Sequence, residues 1–314
     1  MQVIIRPMES SDIPEIVRGW NLCLPHDQIS ESRFESVILK DPNHEKGASL
    51  VAIHEGKIVG FISSVAREGV LGADNRGRPY DKDKGYIKGI FVLEECRKQG
   101  IGTRLLDEVV KYLRSKGKSR IRVITYTGRY FFPGVDTRYE AAIRFFESKG
   151  FEQEHVINDV ALDLRSFRIS DYQKNARRRM AESGVRIEEY DPSMLDKMRR
   201  FVEKANMTSW FPKGWEEGYK DKGNRFVAFK DDEIIGWASY WPSTGSAGFG
   251  PIAVLEEMRG NGIGSCLMLE CVLRMKAAGA DRVVASWANT PFYLPNGWNI
   301  CRQYVVFEKG IGEE

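Results

Sequence analysis

The chain contains 314 residues, 42% hydrophobic and 29% charged, which is enough for about two domains with ordinary apolar cores. Its formal net charge of +3 is too small to indicate a nucleic-acid partner. The sequence has no apolar N-terminal signal core, and no apolar run approaches the roughly 20 residues that a membrane span needs. The five cysteines lack the spacing of a disulfide framework or a metal site. We therefore expect a cytoplasmic protein with reduced thiols, no metal and no membrane segment.

The pattern of apolar residues predicts the same series of elements twice along the chain. In the first half the series is a strand from residue 3, a helix opened by Ser11 and Asp12, a hairpin over 49–65, a strand over 86–92, a helix over 103–116, a strand over 120–125 and an aromatic helix closing at Gly150. In the second half it is a strand from residue 185, a helix opened by Asp191, a hairpin over 225–240, a strand over 249–254, a helix over 265–278, a strand over 282–287 and an aromatic helix closing at Gly297. Both helices that follow the central strand are predicted to carry one apolar stripe.

The strongest internal repeat lies at the centre of each half. The segment VLEECRKQGIGTRLL (92–106) matches VLEEMRGNGIGSCLM (254–268) without a gap, at an offset of 162 residues. A match of this length at about half the chain length indicates a duplicated domain. The order of elements in each half predicts a mixed α/β domain rather than a doubly wound nucleotide-binding fold. We expect an N-terminal domain over 1–165, a polar, partly helical linker over 166–184 and a C-terminal domain over 185–314.

The repeated segment carries the pattern Arg-x-x-Gly-x-Gly between an apolar strand and a helix. Glycines let the backbone turn tightly and approach a ligand. The first amides of a helix lack partners and donate to phosphate oxygens, while the arginine adds positive charge. Leu105 and Leu267 stand where a dinucleotide-binding fingerprint has its third glycine, and no Gly-Lys-Ser/Thr is present, which argues against Rossmann and Walker loops. The pattern predicts a pyrophosphate site in each half.

Both halves resemble the GNAT superfamily of acetyltransferases in the strand, the glycine loop, the leucine-rich helix and the aromatic close. The resemblance implies an α/β fold of two tandem GNAT-like domains, each a mixed, mostly antiparallel sheet flanked by helices. It also implies that acetyl-CoA binds in a cleft between two splayed strands. In the first half the implied cofactor residues are Ile90, Phe91, Val92, Arg97, Lys98, Gln99, Gly100, Ile101, Gly102 and Thr103. In the second half they are Ile252, Ala253, Val254, Arg259, Gly260, Asn261, Gly262, Ile263, Gly264, Ser265 and Asn289.

The resemblance also implies a catalytic acid in the closing helix, where a tyrosine protonates the departing thiolate. Tyr293 of the second half matches that position, whereas the first half has Phe146 there, which has no proton to donate. Tyr130 and Tyr139, in an insertion of the first half, are alternative donors. Asp136 in the same insertion is a weak candidate for the base.

These features predict an N-acetyltransferase that transfers the acetyl group of acetyl-CoA directly to an amine, with the chemistry favoured in the second half. The acceptor stays open between an amine-bearing small molecule and the N-terminus or a lysine of a protein. Two alternatives remain: chemistry in the first half, and a non-catalytic protein that binds or senses acyl-CoA. The linker arginines 177–179 are more typical of a solvated helix face than of a nucleic-acid contact. The sequence indicates no particular oligomeric state.

Overall fold

The computed structural model of the chain describes residues 2–67, 82–123, 130–207, 211 and 214–312. These residues form two compact units. The first unit contains residues 2–67, 82–123, 130–157 and 304–312, and the second contains the described residues of Asn158–Gln303. The division differs from the boundaries expected from the sequence at two places. Residues 158–165 belong to the second unit, and residues 304–312 belong to the first.

The first unit is a mixed sheet with helices packed against it. Its strands are β1 (Ile4–Pro7), β2 (Ser49–His54), β3 (Lys57–Ala66), β4 (Lys84–Val92), β5 (Arg120–Val123), β6 (Val135–Asp136), the start of β7 (Glu152–Asp163) and the end of β13 (Asn299–Gly310). Its helices are α1 (Ile13–Cys23), α2 (Glu31–Val37), α3 (Ile101–Ser115) and α4 (Glu140–Ser148). The strand order is β1-β2-β3-β4-β5-β13, and all these neighbours are antiparallel except β4 and β5.

The second unit repeats this plan. Its further strands are β8 (Arg186–Glu189), β9 (Arg225–Lys230), β10 (Glu233–Trp241), β11 (Gly245–Val254) and β12 (Ala280–Ala285). Its helices are α5 (Asp171–Glu182), α6 (Leu195–Lys204), α7 (Ile263–Ala277) and α8 (Thr290–Tyr293). The order is β7-β12-β11-β10-β9-β8, and only β11 and β12 are parallel among these neighbours. The predicted fold class, a mostly antiparallel sheet flanked by helices in each half, is confirmed.

Strand pairing explains why the compact units differ from the predicted boundaries. In the first unit, the end of β13 pairs with β5 through Phe307 opposite Val123. In the second unit, the end of β7 pairs with β12 through Leu162 opposite Val283. An alternating apolar pattern shows that a segment is a strand, but it does not show which neighbour the strand will pair with.

Helices α3 and α7 follow the two glycine loops and differ in burial. Helix α3 buries one stripe, which includes Leu105, Val109 and Leu113, as predicted. Helix α7 is buried on several sides, because it contacts the sheet and also α5. The single stripe expected for α7 is therefore wrong: Cys266, Met268 and Cys271 are buried beside the predicted residues.

Helix α5 occupies the segment that was expected to be a linker. Its first turn is closed by a capping box, in which the Ser170 hydroxyl accepts from the Gln173 amide at 3.3 Å. The Gln173 side-chain oxygen accepts from the Ser170 amide at 3.0 Å. Ala176 is fully buried, although most of the helix is polar. The segment is thus a packed helix of the second unit.

Candidate functional site

The first glycine loop turns the chain from β4 into α3. Lys98 and Gly100 have positive φ angles of 59° and 79°, which only glycine adopts without strain. No side chain caps α3, so the first amides of the helix are left for a ligand at the positive end of the helix dipole. The Arg97 Nε donates to the Val92 carbonyl at 3.0 Å and fixes the start of the loop. A Cβ placed on Gly100 would meet no heavy atom within 4 Å, so this face of the loop is open.

A cleft of about 780 Å³ extends along this loop. The described pairing of β4 with β5 stops at Tyr86 opposite Arg122, and the cleft is lined by β4 beyond that point. Nine of the ten predicted cofactor residues of this half line the cleft: Ile90, Phe91, Val92, Arg97, Lys98, Gly100, Ile101, Gly102 and Thr103. The tenth, Gln99, donates to the Glu95 carbonyl at 3.4 Å instead. The structure thus gathers the predicted residues of the first half around one cavity.

The charge of the cleft suits a phosphate-bearing ligand. Arg97 and Lys98 line it on the loop side, and Arg138 and Arg144 line it from the α4 side. The only carboxylate among its described lining residues is that of Glu140, which pairs with Arg144 at 3.0 Å. Guanidinium and ammonium groups bind phosphate oxygens through charge-assisted hydrogen bonds. The lining therefore favours an anion such as a pyrophosphate.

A second, smaller cavity of about 80 Å³ adjoins the cleft. Five residues line both cavities: Leu24, Ile90, Tyr139, Ala142 and Phe146. Most of the smaller cavity is apolar, with Trp20 and Phe132 in its wall, but the charged residues Asp27, Lys88 and Asp136 also line it. It offers room for a small group next to the cleft.

Tyr139 is held rigidly where the two cavities meet. Its hydroxyl accepts a hydrogen bond from the His26 amide at 3.1 Å, and its own amide donates to the Asp136 carbonyl at 2.9 Å. Arg138 binds the Asp136 carboxylate with two nitrogens, at 2.8 and 2.6 Å. Burial raises the pKa of Tyr139 far above its usual range, and the Asp27 carboxylate adds to this shift. The hydroxyl is therefore protonated at neutral pH.

Tyr139 and Asp136 are candidates from the sequence, whereas Asp27 is not. The Asp27 carboxylate interacts with the Tyr139 hydroxyl, and the side chain is almost fully buried. It lies between α1 and α2, in a segment that has no counterpart in the repeated motifs. No pattern in the sequence marks it, because only the fold brings it next to the residue before α4.

Lys88 is fixed at the other side of the small cavity by a buried ion pair. Its ammonium group donates to the Asp41 carboxylate and to the Val37 carbonyl, the latter at 2.7 Å. Burial, together with the charge of Lys88, lowers the pKa of His44 nearby. Such a pair holds β4 against the segment that follows α2.

The second glycine loop has the same backbone but different surroundings. Gly262 has a φ of 80°, and the Arg259 Nε donates to the Val254 carbonyl at 3.3 Å. A Cβ placed on Gly262 would lie 2.4 Å from the carbonyl oxygen of Ala176 on α5. Ser265, which corresponds to the half-exposed Thr103, is buried. The face of the loop that is open in the first unit is covered by a helix in the second.

Two polar contacts fix α5 in this position. The Gln173 side chain donates to the Asn296 carbonyl at 3.3 Å, and Arg177 pairs with Glu270 of α7 at 3.0 Å. Of the predicted linker arginines, Arg177 thus joins two helices, and Arg178 lies 3.9 Å from Glu182 on its own helix. Contacts of Gln173 and Arg177, one helical turn apart, therefore hold α5 against the second loop and α7.

The remaining predicted residues of the second half lie near this covered loop. Ile252, Ala253 and Val254 are half-buried at the end of β11. Around the turn, Gly260 is exposed, Gly264 is half-buried and Ile263 is buried. The Asn261 side chain donates to the Met258 carbonyl at 3.2 Å, and Asn289 precedes α8 as its N-cap residue. Their role in cofactor binding stays a prediction.

Tyr293, the predicted catalytic acid, lies within the core of the second unit. Only 6% of its surface is exposed. Its ring packs edge-on against Phe249 and Trp298, with centroids 6.1 and 5.3 Å away. Burial raises the pKa of its hydroxyl far above the usual range. The proposed role of Tyr293 as an acid stays a prediction. The corresponding Phe146 is equally buried, against Phe151 and Phe307.

Across residues 2–67, 82–123, 130–207, 211 and 214–312, no three His, Cys, Asp or Glu side chains are grouped to hold a metal ion. Within the same ranges, no helix has the length and apolar character for crossing a bilayer. Burial raises the pKa of the Cys266 thiol, next to the second loop, to about 11, which disfavours a reactive thiolate there.

Comparison with known proteins identifies the class. The acetyltransferase (GNAT) family matches residues 13–151 and 192–294, which is most of the chain. The chain therefore belongs to the GNAT family of acetyltransferases, with one family domain in each half.

Individual relatives agree with this assignment. An N-alpha-acetyltransferase 60 from Xenopus tropicalis is 30% identical over 124 residues, covering 37% of this chain and 47% of that protein, so the match spans about half of the relative's length. A GCN5-related glucosamine N-acetyltransferase region of a fungal β-N-acetylglucosaminidase superposes with a TM-score of 0.77 at 18% identity, over 98% of this chain and 38% of that one. A tandem GNAT protein from the clavulanic acid biosynthesis pathway gives a TM-score of 0.63 at 14% identity over both full chains. At these identities the two solved structures show the fold alone.

Proposed function

We propose that this chain is an acetyl-CoA-dependent N-acetyltransferase that binds its cofactor in the cleft of the first unit. The observation that carries the proposal is the contrast between the two loops. The face of Gly100 is open to a 780 Å³ cleft, whereas the face of Gly262 lies against the backbone of Ala176. The proposed place of the chemistry is therefore the first half, the alternative to the second half that the sequence favoured.

The first unit offers each part of the cofactor a suitable partner. The free amides at the start of α3 and the side chains of Arg97 and Lys98 would bind the pyrophosphate. The backbone of β4 between Ile90 and Val92 would hydrogen-bond the pantetheine arm, because that stretch lines the cleft. The thioester would then lie near the junction with the small cavity, where Tyr139 stands. Coenzyme A supplies the activated acetyl group.

The proposed acceptor is an amine that enters from the small cavity. An uncharged amine would attack the thioester carbonyl directly, and the released thiolate would take a proton. Residues on the small cavity would hold the acceptor close to the carbonyl, which lowers the entropic barrier to the reaction. The frog relative is an N-alpha-acetyltransferase by name. Peptides with a free N-terminus are therefore tested beside small amines.

A second candidate is a non-catalytic protein that binds acyl-CoA as a signal. Phe146 favours it, because the position matching the tyrosine acid of the second half has no proton to donate. One assay separates the two functions. Release of coenzyme A thiol is followed with acetyl-CoA and a panel of peptides, amino acids and small amines. Amine-dependent release supports the enzyme, whereas tight acetyl-CoA binding without transfer to any amine supports the sensor and contradicts our proposal.

A further inference from the structure

An ion pair fixes one arginine at the edge of the cleft. The Asp136 carboxylate accepts hydrogen bonds from Nε and Nη2 of Arg138, at 2.8 and 2.6 Å, and from the Arg138 amide at 2.9 Å. Only 1% of the Asp136 side chain is exposed, whereas 46% of the Arg138 side chain is exposed. Arg138 also lines the cleft. The guanidinium group is therefore held by a buried anion and is accessible from the cavity.

The backbone around this pair is fixed as well. Asp136 lies in β6, where it pairs with Tyr304 of β13, and its carbonyl accepts from the Tyr139 amide at 2.9 Å. Both members of the pair belong to the insertion that lengthens the first half relative to the second. An arginine that is already ordered loses little conformational entropy when it binds an anion. The insertion thus presents a preorganised guanidinium to the cleft.

Arg138 lies at the end of the cleft that is distant from the glycine loop. Helix α4 connects the two ends: Tyr139, just before the helix, lines both cavities, whereas the Phe145 ring lies 3.4 Å from a Cβ placed on Gly102. Six helical residues span about 9 Å. Because Asp136 holds the guanidinium, the Arg138 side chain does not extend along α4 toward the loop. It therefore lies near the junction of the two cavities and not at the proposed pyrophosphate site.

We propose that Arg138 binds a carboxylate of the acceptor, so that the substrates are amines with a carboxylate within a few bonds of the nitrogen; this rests on the proposed function of the first unit. The thioester is expected at the same junction, which brings the accepting nitrogen close to Arg138. Asp136 occupies the edge of the guanidinium formed by Nε and Nη2, and the substrate carboxylate approaches the edge formed by the two Nη atoms. Such charge-assisted pairs are matched in shape as well as in charge.

Two kinds of substrate have the required chemistry. In a free amino acid the carboxylate and the amine are on the same carbon atom. In a peptide that begins with aspartate, the side-chain carboxylate is one bond further away. The shared feature is a negative charge next to the reacting amine, and replacing the carboxylate by an amide removes that charge with little change in shape.

The second unit provides a control for the ion pair itself. Asp163 accepts from the amide, Nε and Nη2 of Arg165, at 2.9, 3.1 and 3.1 Å, with the same two-residue spacing. These side chains are 47% and 73% exposed, and neither residue lines the cleft or the small cavity. An Asp-x-Arg pair by itself is thus a common local structure. Burial of the carboxylate and a position on the cleft distinguish Arg138.

The first experiment uses the unaltered full chain. Release of coenzyme A thiol from acetyl-CoA is followed with each amino acid beside its α-amide, and with peptides that begin with aspartate beside those that begin with asparagine. After correction for the fraction of uncharged amine, kcat/KM should be about 30-fold higher for the carboxylate of at least one pair. A preference in the first pair alone assigns free amino acids, and in the second pair alone it assigns acidic peptides. Equal values within both pairs would overturn the proposal.

The second experiment measures the same ratios in variants. Arg138→Gln should remove the preference by raising the KM for the carboxylate substrate about 30-fold, with kcat and the KM for acetyl-CoA nearly unchanged. Arg165→Gln should keep the preference. Arg138→Lys, which retains the charge but not the planar fork, should restore part of it. The double variant Asp136→Asn/Arg138→Gln removes both charges of the pair and should match Arg138→Gln, which separates the loss of specificity from a buried charge.

The outcomes distinguish this proposal from the proposed function. A preference that survives Arg138→Gln, or a KM that rises for acetyl-CoA instead of the acceptor, would show that Arg138 does not bind the acceptor. Transfer to amines without any carboxylate preference contradicts the assignment of Arg138 alone. Absence of transfer to every amine contradicts the proposed function, and the assignment fails with it.

Discussion

The two glycine loops of this protein have nearly the same backbone and opposite surroundings. Gly100 and Gly262 have φ angles of 79° and 80°, and each loop is fixed by an arginine that donates to a valine carbonyl, at 3.0 and 3.3 Å. One loop faces a large cleft, and the other faces a helix. A loop motif therefore specifies how the backbone turns, but what packs against the loop decides whether a ligand can reach it.

Helix α5 covers the second glycine loop, although few of its residues are buried. Its mean character is polar, and only Gln173 and Ala176 are buried. A small residue at position 176 lets the helix backbone approach Gly262 closely, since neither position carries a long side chain. The covering helix and the additional burial of α7 are two consequences of the same packing.

The largest expected effect comes from reversing one charge in each loop. Arg97→Glu should weaken acetyl-CoA binding by about 100-fold, because it replaces a cationic partner of the pyrophosphate by an anion. The matched variant Arg259→Glu should leave the affinity unchanged. Both are measured by calorimetric titration of acetyl-CoA. Equal losses in the two variants would show that the second loop also binds the cofactor.

Replacing Gly100 or Gly262 by alanine should lower the free energy of unfolding by different amounts. At Gly100 the added methyl group meets no atom within 4 Å, so only the positive φ is strained, which costs about 1 kcal/mol. At Gly262 the same strain is joined by a clash with the Ala176 backbone, for a total loss of about 3 kcal/mol. Urea unfolding measures both. Similar losses would mean that α5 does not press on the second loop in solution.

Loss of the α5 cap should have a smaller effect. Gln173→Ala removes the side-chain partner of the Ser170 amide and the bond to the Asn296 carbonyl. We expect a loss of about 1 kcal/mol, visible as faster hydrogen exchange in α5. The neighbouring Lys174→Ala, whose side chain is exposed, serves as the control. Protection of α5 that is the same in both variants would argue against the capping box.

The smallest expected effect is on the free energy of unfolding at acid pH. It compares Asp12, which precedes α1 in the first half, with Asp191, which precedes α6 in the second half. Arg6 hydrogen-bonds the buried Asp12 with two nitrogens, at 2.7 and 2.8 Å, and this lowers the pKa of Asp12. Because the folded pKa lies below the unfolded one, the pair stabilises the fold above about pH 4 and is lost as the pH falls through the folded value.

The variant Asp12→Asn should therefore cost about 0.5 kcal/mol at neutral pH and flatten the loss of stability in acid. The comparison variant is Asp191→Asn, because Asp191 accepts from the Ser193 amide at 3.0 Å and lies 3.8 Å from the ammonium group of Lys222 rather than against an arginine. Stability is measured by urea unfolding between pH 3 and 7. An acid limb unchanged by Asp12→Asn would show that the ion pair contributes nothing.

Much of the fold follows from the sequence, because the features that define it are local. The strand, glycine loop and helix of each half are marked by residues next to one another, from Val92 to Leu106 and from Val254 to Met268. The long-range features were not predictable in this way. The pairing of β13 with β5 depends on contacts distant in sequence, as does the position of α5 on α7.

The candidate site likewise contains residues that a local motif predicts and residues that only the fold brings together. Nine of the ten loop and strand residues predicted for the first half line the cleft, because a repeated motif marked them. In the sequence Tyr139 stands out only as one of two tyrosines in an insertion, and no pattern marks Asp27. Their meeting depends on how the segment after α1 folds against the residue before α4. The packing of α5 against Gly262 could not be predicted, because a single alanine in a polar segment does not indicate a buried helix face.

The stoichiometry of acetyl-CoA binding to the full chain shows whether the first unit alone binds the cofactor. Calorimetric titration should give one site per chain, and Arg97→Glu should remove that site while Arg259→Glu keeps it. Two sites per chain, or a single site that survives Arg97→Glu and disappears in Arg259→Glu, would show that the second unit binds the cofactor.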